Sequence, residues 1–190
     1  MANLTEVRWH GRGGQGAKTA GYVLAIAAAA QGWNVQAFPE YGAERRGAPM
    51  RSYVRISDAP IRLRSSIDSP DIVVVLDSSL LETENVTDGL ADGGLIIINT
   101  DKSPDDIRQE LANPNVELCT VDASAISVDT IGREMPNTPM LGALAKVSDV
   151  LDLETTLKAV EKQLSEKLPP AVVEGNKQAI QRAYEEVQVA

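Results

Sequence analysis

Two short runs, Ile72-Val73-Val74-Val75-Leu76 and Leu95-Ile96-Ile97-Ile98, contain no polar residue and are dominated by β-branched side chains. A strand with one face in water alternates apolar and polar residues. An unbroken run of this length instead asks for cover on both faces, as in a parallel sheet packed between helices. Asp71 to Leu76 and Leu95 to Asn99 are therefore read as central strands, and the rest of the chain has to supply the layers that cover them.

The flanking pattern supplies such layers. Val7 to His10 reads as a first strand, followed by a helix from about Ala17 to Gln31 that is rich in helix formers and stops before Gly32. Asn34 to Phe38 is the next strand. Arg51 to Ser57 and Ile61 to Ser65 are expected to form a hairpin turning at Asp58-Ala59-Pro60. Leu80 to Leu90 and Asp105 to Ala112 read as helices, Val116 to Val121 as a strand and Ile126 to Ile131 as a short helix. Met140 to Asp149, Leu153 to Lys167 and Val172 to Val187 then show apolar spacings of three and four, with Pro-Pro punctuation before the last. At 190 residues and 43% hydrophobic, the chain suits one well-buried core. The expected fold is α/β: a single Rossmann-like domain over residues 1–190 with a mostly parallel sheet, one hairpin and helical C-terminal packing.

Composition removes several function classes. No apolar run reaches the roughly 20 residues that span a bilayer, and Met1 to Glu6 lacks the basic-then-apolar pattern of a secretory signal. The expectation is a soluble cytoplasmic protein with no membrane partner. Cys119 and His10 are the only residues of their kinds, so the chain alone cannot build a disulfide, a zinc cage or an iron–sulfur cluster. Net charge is −9, which argues against nucleic-acid binding, where affinity rests on many phosphate contacts. The charge is unevenly spread: up to Arg64 nine Lys and Arg face four acids, whereas the remainder carries nine against 23. Arg45, Arg46, Arg51, Arg55, Arg62 and Arg64 point to one anionic ligand or partner surface.

Between the first strand and the first helix lies Gly11-Arg12-Gly13-Gly14-Gln15-Gly16, with Lys18 and Thr19 in the first helical turn. Glycines admit positive φ and close approach of a ligand, and the helix that follows offers unpaired N–H groups and the positive end of its dipole. One reading is tight strand–helix packing without a ligand. Arg12, Gln15 and Lys18 argue for an anion or an acidic partner instead. Gly11, Gly13 and Gly16 also match the G-x-G-x-x-G dinucleotide fingerprint, with Glu40 at the end of the second strand as the acid such a site wants. The nucleotide-hydrolysing P-loop pattern fails, because Ala17 separates Gly16 from Lys18. Phe38 to Arg51 is too rich in glycine, proline and arginine for a helix. It reads either as a solvated turn with arginines paired to Glu40 and Glu44 or as part of a shared anion site led by Arg45 and Arg46. His10 reads as a hydrogen-bonded packing residue or an acid/base group, and Cys119 as a buried, inert thiol.

Arg8 to Gly16 (RWHGRGGQG), Phe38 to Pro49 (FPEYGAERRGAP), Ser52 to Ser57 (SYVRIS) and Asn137 to Ala143 (NTPMLGA) together resemble the gamma subunits of pyruvate:ferredoxin oxidoreductases, also called pyruvate synthases. The resemblance implies a multisubunit enzyme that oxidatively decarboxylates a 2-oxoacid with coenzyme A and passes two electrons to ferredoxin. It implies partners of alpha, beta and delta type. Thiamine diphosphate, Mg2+ and [4Fe–4S] clusters would sit in those partners, and no cofactor on this chain alone. No catalytic or metal-binding residue is assigned here. The expected contacts to coenzyme A or the active-site cleft are Gly11, Arg12, Gly13, Gly14, Gln15, Gly16, Arg45, Arg46 and Asn137. Asn137 is open to a second reading, in which it or Thr138 caps a helix with Pro139 in its first turn. Other 2-oxoacids (branched-chain, 2-oxoglutarate, oxalate) and a free-standing dinucleotide-binding oxidoreductase remain as alternatives.

Overall fold

The computed structural model describes residues 3–40 and 47–190. Seven strands, β1 (Leu4–Arg12), β2 (Asn34–Glu40), β3 (Pro49–Ser57), β4 (Ile72–Val75), β5 (Leu95–Asn99), β6 (Glu117–Val121) and β7 (Gln188–Val189), form one sheet in the order β2-β3-β1-β4-β5-β6-β7. The centre β1-β4-β5-β6 is parallel throughout. Antiparallel pairs close its two sides: β3 lies between β1 and β2, and β7 adds to β6. Pro39 is tolerated in β2 because that strand is an edge, where a missing N–H costs no ladder bond.

Helices α1 (Ala17–Ala30), α4 (Ala123–Ile131), α5 (Asn137–Val147), α6 (Leu153–Ser165) and α7 (Pro170–Glu186) are joined by two short ones, α2 (Leu80–Thr83) and α3 (Pro104–Arg108). Alternation along the strands sorts the core into two. Val7, Trp9, Val74, Ile97 and Cys119 meet the apolar sides of α1, α5 and α7, whereas Val73, Val75, Ile96, Ile98 and Leu118 meet Leu80, Val86, Leu90 and Ile107. All four residues of β4 and all five of β5 are buried, as their unbroken runs require. Each such aliphatic side chain contributes about 1.5–3 kcal/mol. Side-chain caps start three helices: Ser103 accepts from the Asp106 N–H, Asp122 from Ala125 and Asp152 from Thr155.

The expected hairpin is placed differently. Ile61 to Ser65 form no strand, because both edges of β3 are already taken by β1 and β2. The antiparallel hairpin is β2–β3, and the Leu63 carbonyl accepts from Gln36 Nε2 while that of Ser66 accepts from Arg55. The helix expected over Leu80 to Leu90 stops at Thr83. Beyond it Gly89 has φ 73°, and a Cβ there would lie 1.8 Å from the Asp68 carbonyl oxygen, so only glycine fits. The helix expected over Asp105 to Ala112 likewise ends at Arg108. The helix expected over Val172 to Val187 is α7, which begins at Pro170 and ends at Glu186, with β7 beyond it.

Candidate functional site

The reversal of strand order lies between β1 and β4: from β1 the chain crosses through α1 to β2 on one side, and it later returns to β4 on the other. Ligands of open α/β sheets bind at the carboxyl ends of strands beside such a reversal. The glycine turn sits there.

Its backbone is clamped to the start of β3. Gly13 N–H donates to the Ala48 carbonyl at 2.9 Å, and Gly47 N–H donates back to the Gly13 carbonyl at 3.0 Å. Gly14 (φ 107°) and Gly16 (φ 84°) both take left-handed conformations. Gly16 is the N-cap of α1 and supplies no side-chain cap. The N–H of Gly14 has no acceptor among the described residues. The turn therefore has a backbone donor not used within the described residues, beside a helix start with no side-chain cap.

Side chains fasten the same turn to the end of β4. Gln15 Oε1 accepts from the Arg12 N–H at 2.7 Å, and Gln15 Nε2 donates to Asp77 Oδ2 at 2.7 Å. Arg12 Nε lies 3.3 Å from Asp77 Oδ2, and Arg12 Nη2 donates to Ser79 Oγ at 2.8 Å. Ser79 returns two bonds to Asp77 Oδ1, from its N–H at 3.0 Å and its hydroxyl at 2.6 Å. Burial by itself would raise the Asp77 carboxyl. The hydrogen bonds from Ser79 and Gln15, with the Arg12 charge, outweigh that and hold it below the usual carboxylate range.

The predicted site residues separate into three groups. Gly11, Arg12, Gly13, Gly14, Gln15 and Gly16 are brought together as expected, although Gly11 serves packing: a Cβ there would lie 3.3 Å from Leu76 Cδ1. Asn137 joins them from a distance in sequence. It is buried, and its side-chain nitrogen sits 2.7 Å from where a Gly16 Cβ would be, so the two residues lock the start of α1 to α5. It is the first residue of α5 and not a side-chain cap, the N-cap being Pro136. Its Oδ1 is buried without a hydrogen-bond partner among the described residues. Arg45 and Arg46 lie outside the described residues.

Among the described residues, the other arginines of the expected group do not form one surface. Arg55 is 1% exposed and bound by Glu6, Gln36 and the Ser66 carbonyl; Arg51 pairs with Glu84; Arg62 and Arg64 are exposed. His10 is a packing residue. It is buried, its Nε2 accepts from Arg8 Nε at 2.9 Å, and burial together with the Arg8 and Arg51 charges pushes it down to about 3. Cys119 is buried, and its thiol is pushed up to about 11. Asp77 and Ser79 were missed by the sequence reading. The signal for them is position alone: they follow immediately on a fully buried parallel strand, where functional side chains collect.

Two features disfavour a dinucleotide. The acid-bearing strand β2 is not beside β1, because β3 intervenes and leaves it two strand spacings, about 10 Å, away. The crevice of about 480 Å³ outside the strand ends is lined by Asp77, Asp101, Asp122 and Glu134, and among the described residues no Lys or Arg lines it. A pyrophosphate lying along this crevice, rather than on the backbone donors of the glycine turn, meets repulsion.

Residues 6–186 match the model of the pyruvate ferredoxin/flavodoxin oxidoreductase family. The chain belongs to this family. It is 49% identical to the pyruvate synthase subunit PorC of Thermotoga maritima, over 96% of this chain and 94% of that one. It is 45% identical to the common gamma subunit of the pyruvate/ketoisovalerate oxidoreductases of Thermococcus kodakarensis, over 95% and 96%. The crystal structure of the Thermotoga maritima pyruvate oxidoreductase subunit superposes with a TM-score of 0.87 at 44% identity, covering 98% of both chains. The chain is thus of the gamma-subunit type of this oxidoreductase family over nearly its whole length. Among the described residues no group of three or more His, Cys, Asp or Glu side chains is placed to hold a metal ion, and no helix is long and apolar enough to cross a membrane.

Proposed function

We propose that this chain, as one gamma-type domain over residues 1–190, works in a cytoplasmic pyruvate:ferredoxin oxidoreductase. Pyruvate and coenzyme A become acetyl-CoA and carbon dioxide, and two electrons pass to ferredoxin. The observation that carries this reading is the near-full-length likeness to PorC, a pyruvate oxidoreductase subunit. Alpha-, beta- and delta-type partners supply thiamine diphosphate, Mg2+ and the [4Fe–4S] clusters, since one buried cysteine cannot ligate a four-iron cluster. This chain contributes the glycine turn, with Gly11 to Gly16 and Asn137, and the Arg45–Arg46 loop. Together they meet the anionic groups of coenzyme A, or the partner chains, at the shared cleft. The uncapped start of α1 and its left-handed glycines support an anion at the turn.

A second reading keeps the gamma role but changes the 2-oxoacid. The Thermococcus relative is named as common to pyruvate and ketoisovalerate enzymes, which favours placing acid selection on another chain. A panel of 2-oxoacids on the assembled enzyme, with coenzyme A and ferredoxin supplied, tests both. Turnover with pyruvate above all others is expected; a preference for a branched-chain acid selects the second reading. Replacing both Arg45 and Arg46 with Ala is expected to raise the coenzyme A KM at least tenfold, since one lost hydrogen bond to a charged group is worth about 1.5–3 kcal/mol. An intact complex with unchanged coenzyme A kinetics removes the assignment for that loop.

A further inference from the structure

We propose that Asp77 is the positioning residue of the glycine turn, holding Arg12 and Gln15 in the one arrangement that presents the turn to its ligand. The inference rests on the turn meeting coenzyme A, and it extends that reading to a residue outside the turn.

The contacts form a closed ring. Starting from the Arg12 N–H it runs through the Gln15 amide, the Asp77 carboxylate and Ser79, and returns to the Arg12 guanidinium. Every donor around Asp77 points at it, from Gln15 Nε2, the Ser79 N–H and the Ser79 hydroxyl, with Arg12 Nε at 3.3 Å. An ionised carboxylate is acceptor-only. It therefore fixes which end of the Gln15 amide faces it and leaves Oε1 free for the Arg12 backbone. It also orients the Ser79 hydroxyl as a donor, so that Ser79 Oγ has a lone pair left for Arg12 Nη2. The opposite side of the turn is held by the backbone of Gly13, Gly47 and Ala48, with Arg12 Nη1 donating to the Gly47 carbonyl at 3.3 Å. Among the described residues Asp77 is the side chain that touches both polar side chains of the turn, and it does so from two residues beyond the buried strand β4.

Asparagine has nearly the same shape, but its NH2 meets either Gln15 Nε2 or the Ser79 donors face to face. Asp77→Asn is therefore expected to release the turn without opening a cavity. In the assembled oxidoreductase it should raise the apparent KM for coenzyme A about tenfold, with the KM for pyruvate unchanged. In an Arg12→Ala plus Gln15→Ala background the same substitution should add nothing. Hydrogen exchange of the amides at residues 12–16 should quicken at least tenfold. Ser79→Ala opens one link of the ring and should act in the same direction by a smaller factor, which keeps the test available if Asp77→Asn fails to assemble. Unchanged exchange at residues 12–16 overturns the proposal, as does a coenzyme A effect that persists in the double-alanine background. Faster exchange with coenzyme A kinetics unchanged in both Asp77→Asn and Arg12→Ala keeps the positioning role. That outcome removes only the assignment of coenzyme A to the turn.

Discussion

Behind the sheet, under α1, α5 and α7, closure is by hydrocarbon: Val7, Trp9, Val74 and Ile97 pack on alanines and leucines. In front of β1, β3 and β2 it is by charge. There Arg8, His10, Arg51, Tyr53 and Arg55 occupy the positions that in β4 and β5 belong to Val73, Val75, Ile96 and Ile98. Arg8 donates to the Val86 and Asp88 carbonyls, Arg55 to Glu6, Gln36 and Ser66, Tyr53 to Glu40, and the Arg55 guanidinium lies 5.4 Å from the Phe38 ring centre. An apolar face tolerates rearrangement, since dispersion and burial are not directional. A charged face is stable only while every donor keeps its acceptor. The polar half of the sheet adjoins the glycine turn through the β1–β3 pairing that runs to Arg12 and Pro49.

The comparison breaks most visibly at Arg55. Arg55→Ala leaves Glu6 without its partner in a largely buried setting and is expected to cost about 3–5 kcal/mol, read from denaturant unfolding. Ile97→Ala on the hydrocarbon side should cost about 2–5 kcal/mol through its cavity. The two are told apart by a double-mutant cycle, because only the Arg55 effect should shrink when Glu6→Gln is already present. An Arg55 effect that is the same with and without Glu6→Gln would refute the contrast between the faces.

A smaller effect comes from pH. The unfolded chain binds a proton at His10 near pH 6.5, whereas the folded chain, facing Arg8 and Arg51, refuses it until about 3. The unfolded state thus holds more protons between those values. The stability contributed by neutral His10 is complete above pH 6.5 and falls as the pH drops below it, by about 2 kcal/mol at pH 5. In His10→Gln that part of the slope should be missing; an unchanged slope would mean that His10 titrates normally.

The smallest effect tests a feature belonging to neither face. Asp152→Ala removes the cap of α6 and should cost about 1 kcal/mol, read from denaturant unfolding.

The parallel centre of the sheet was legible because burial on both faces leaves an unbroken apolar run, and the glycine turn because positive φ at Gly14 and Gly16 restricts residue type. The second strand of the hairpin was misread. Ile61 to Ser65 alternate like a strand, yet alternation carries no information about which edges of a neighbour are already occupied. The arginines looked like one cationic surface because sequence shows the charge of Arg51 and Arg55 but not their partners Glu84 and Glu6, which are 33 and 49 residues away.

The sequence by itself determined the α/β class, the strand–turn–helix unit at the candidate site and membership in the oxidoreductase family. These depend on local periodicity, on backbone conformations open only to glycine and on contiguous motifs. The tertiary structure alone decided that Asp77 and Ser79 complete the glycine turn, that Asn137 packs beneath Gly16 and that β3 separates β1 from β2. Those facts rest on contacts between residues far apart in the chain, and such contacts exist only once the sheet has set the order of its strands.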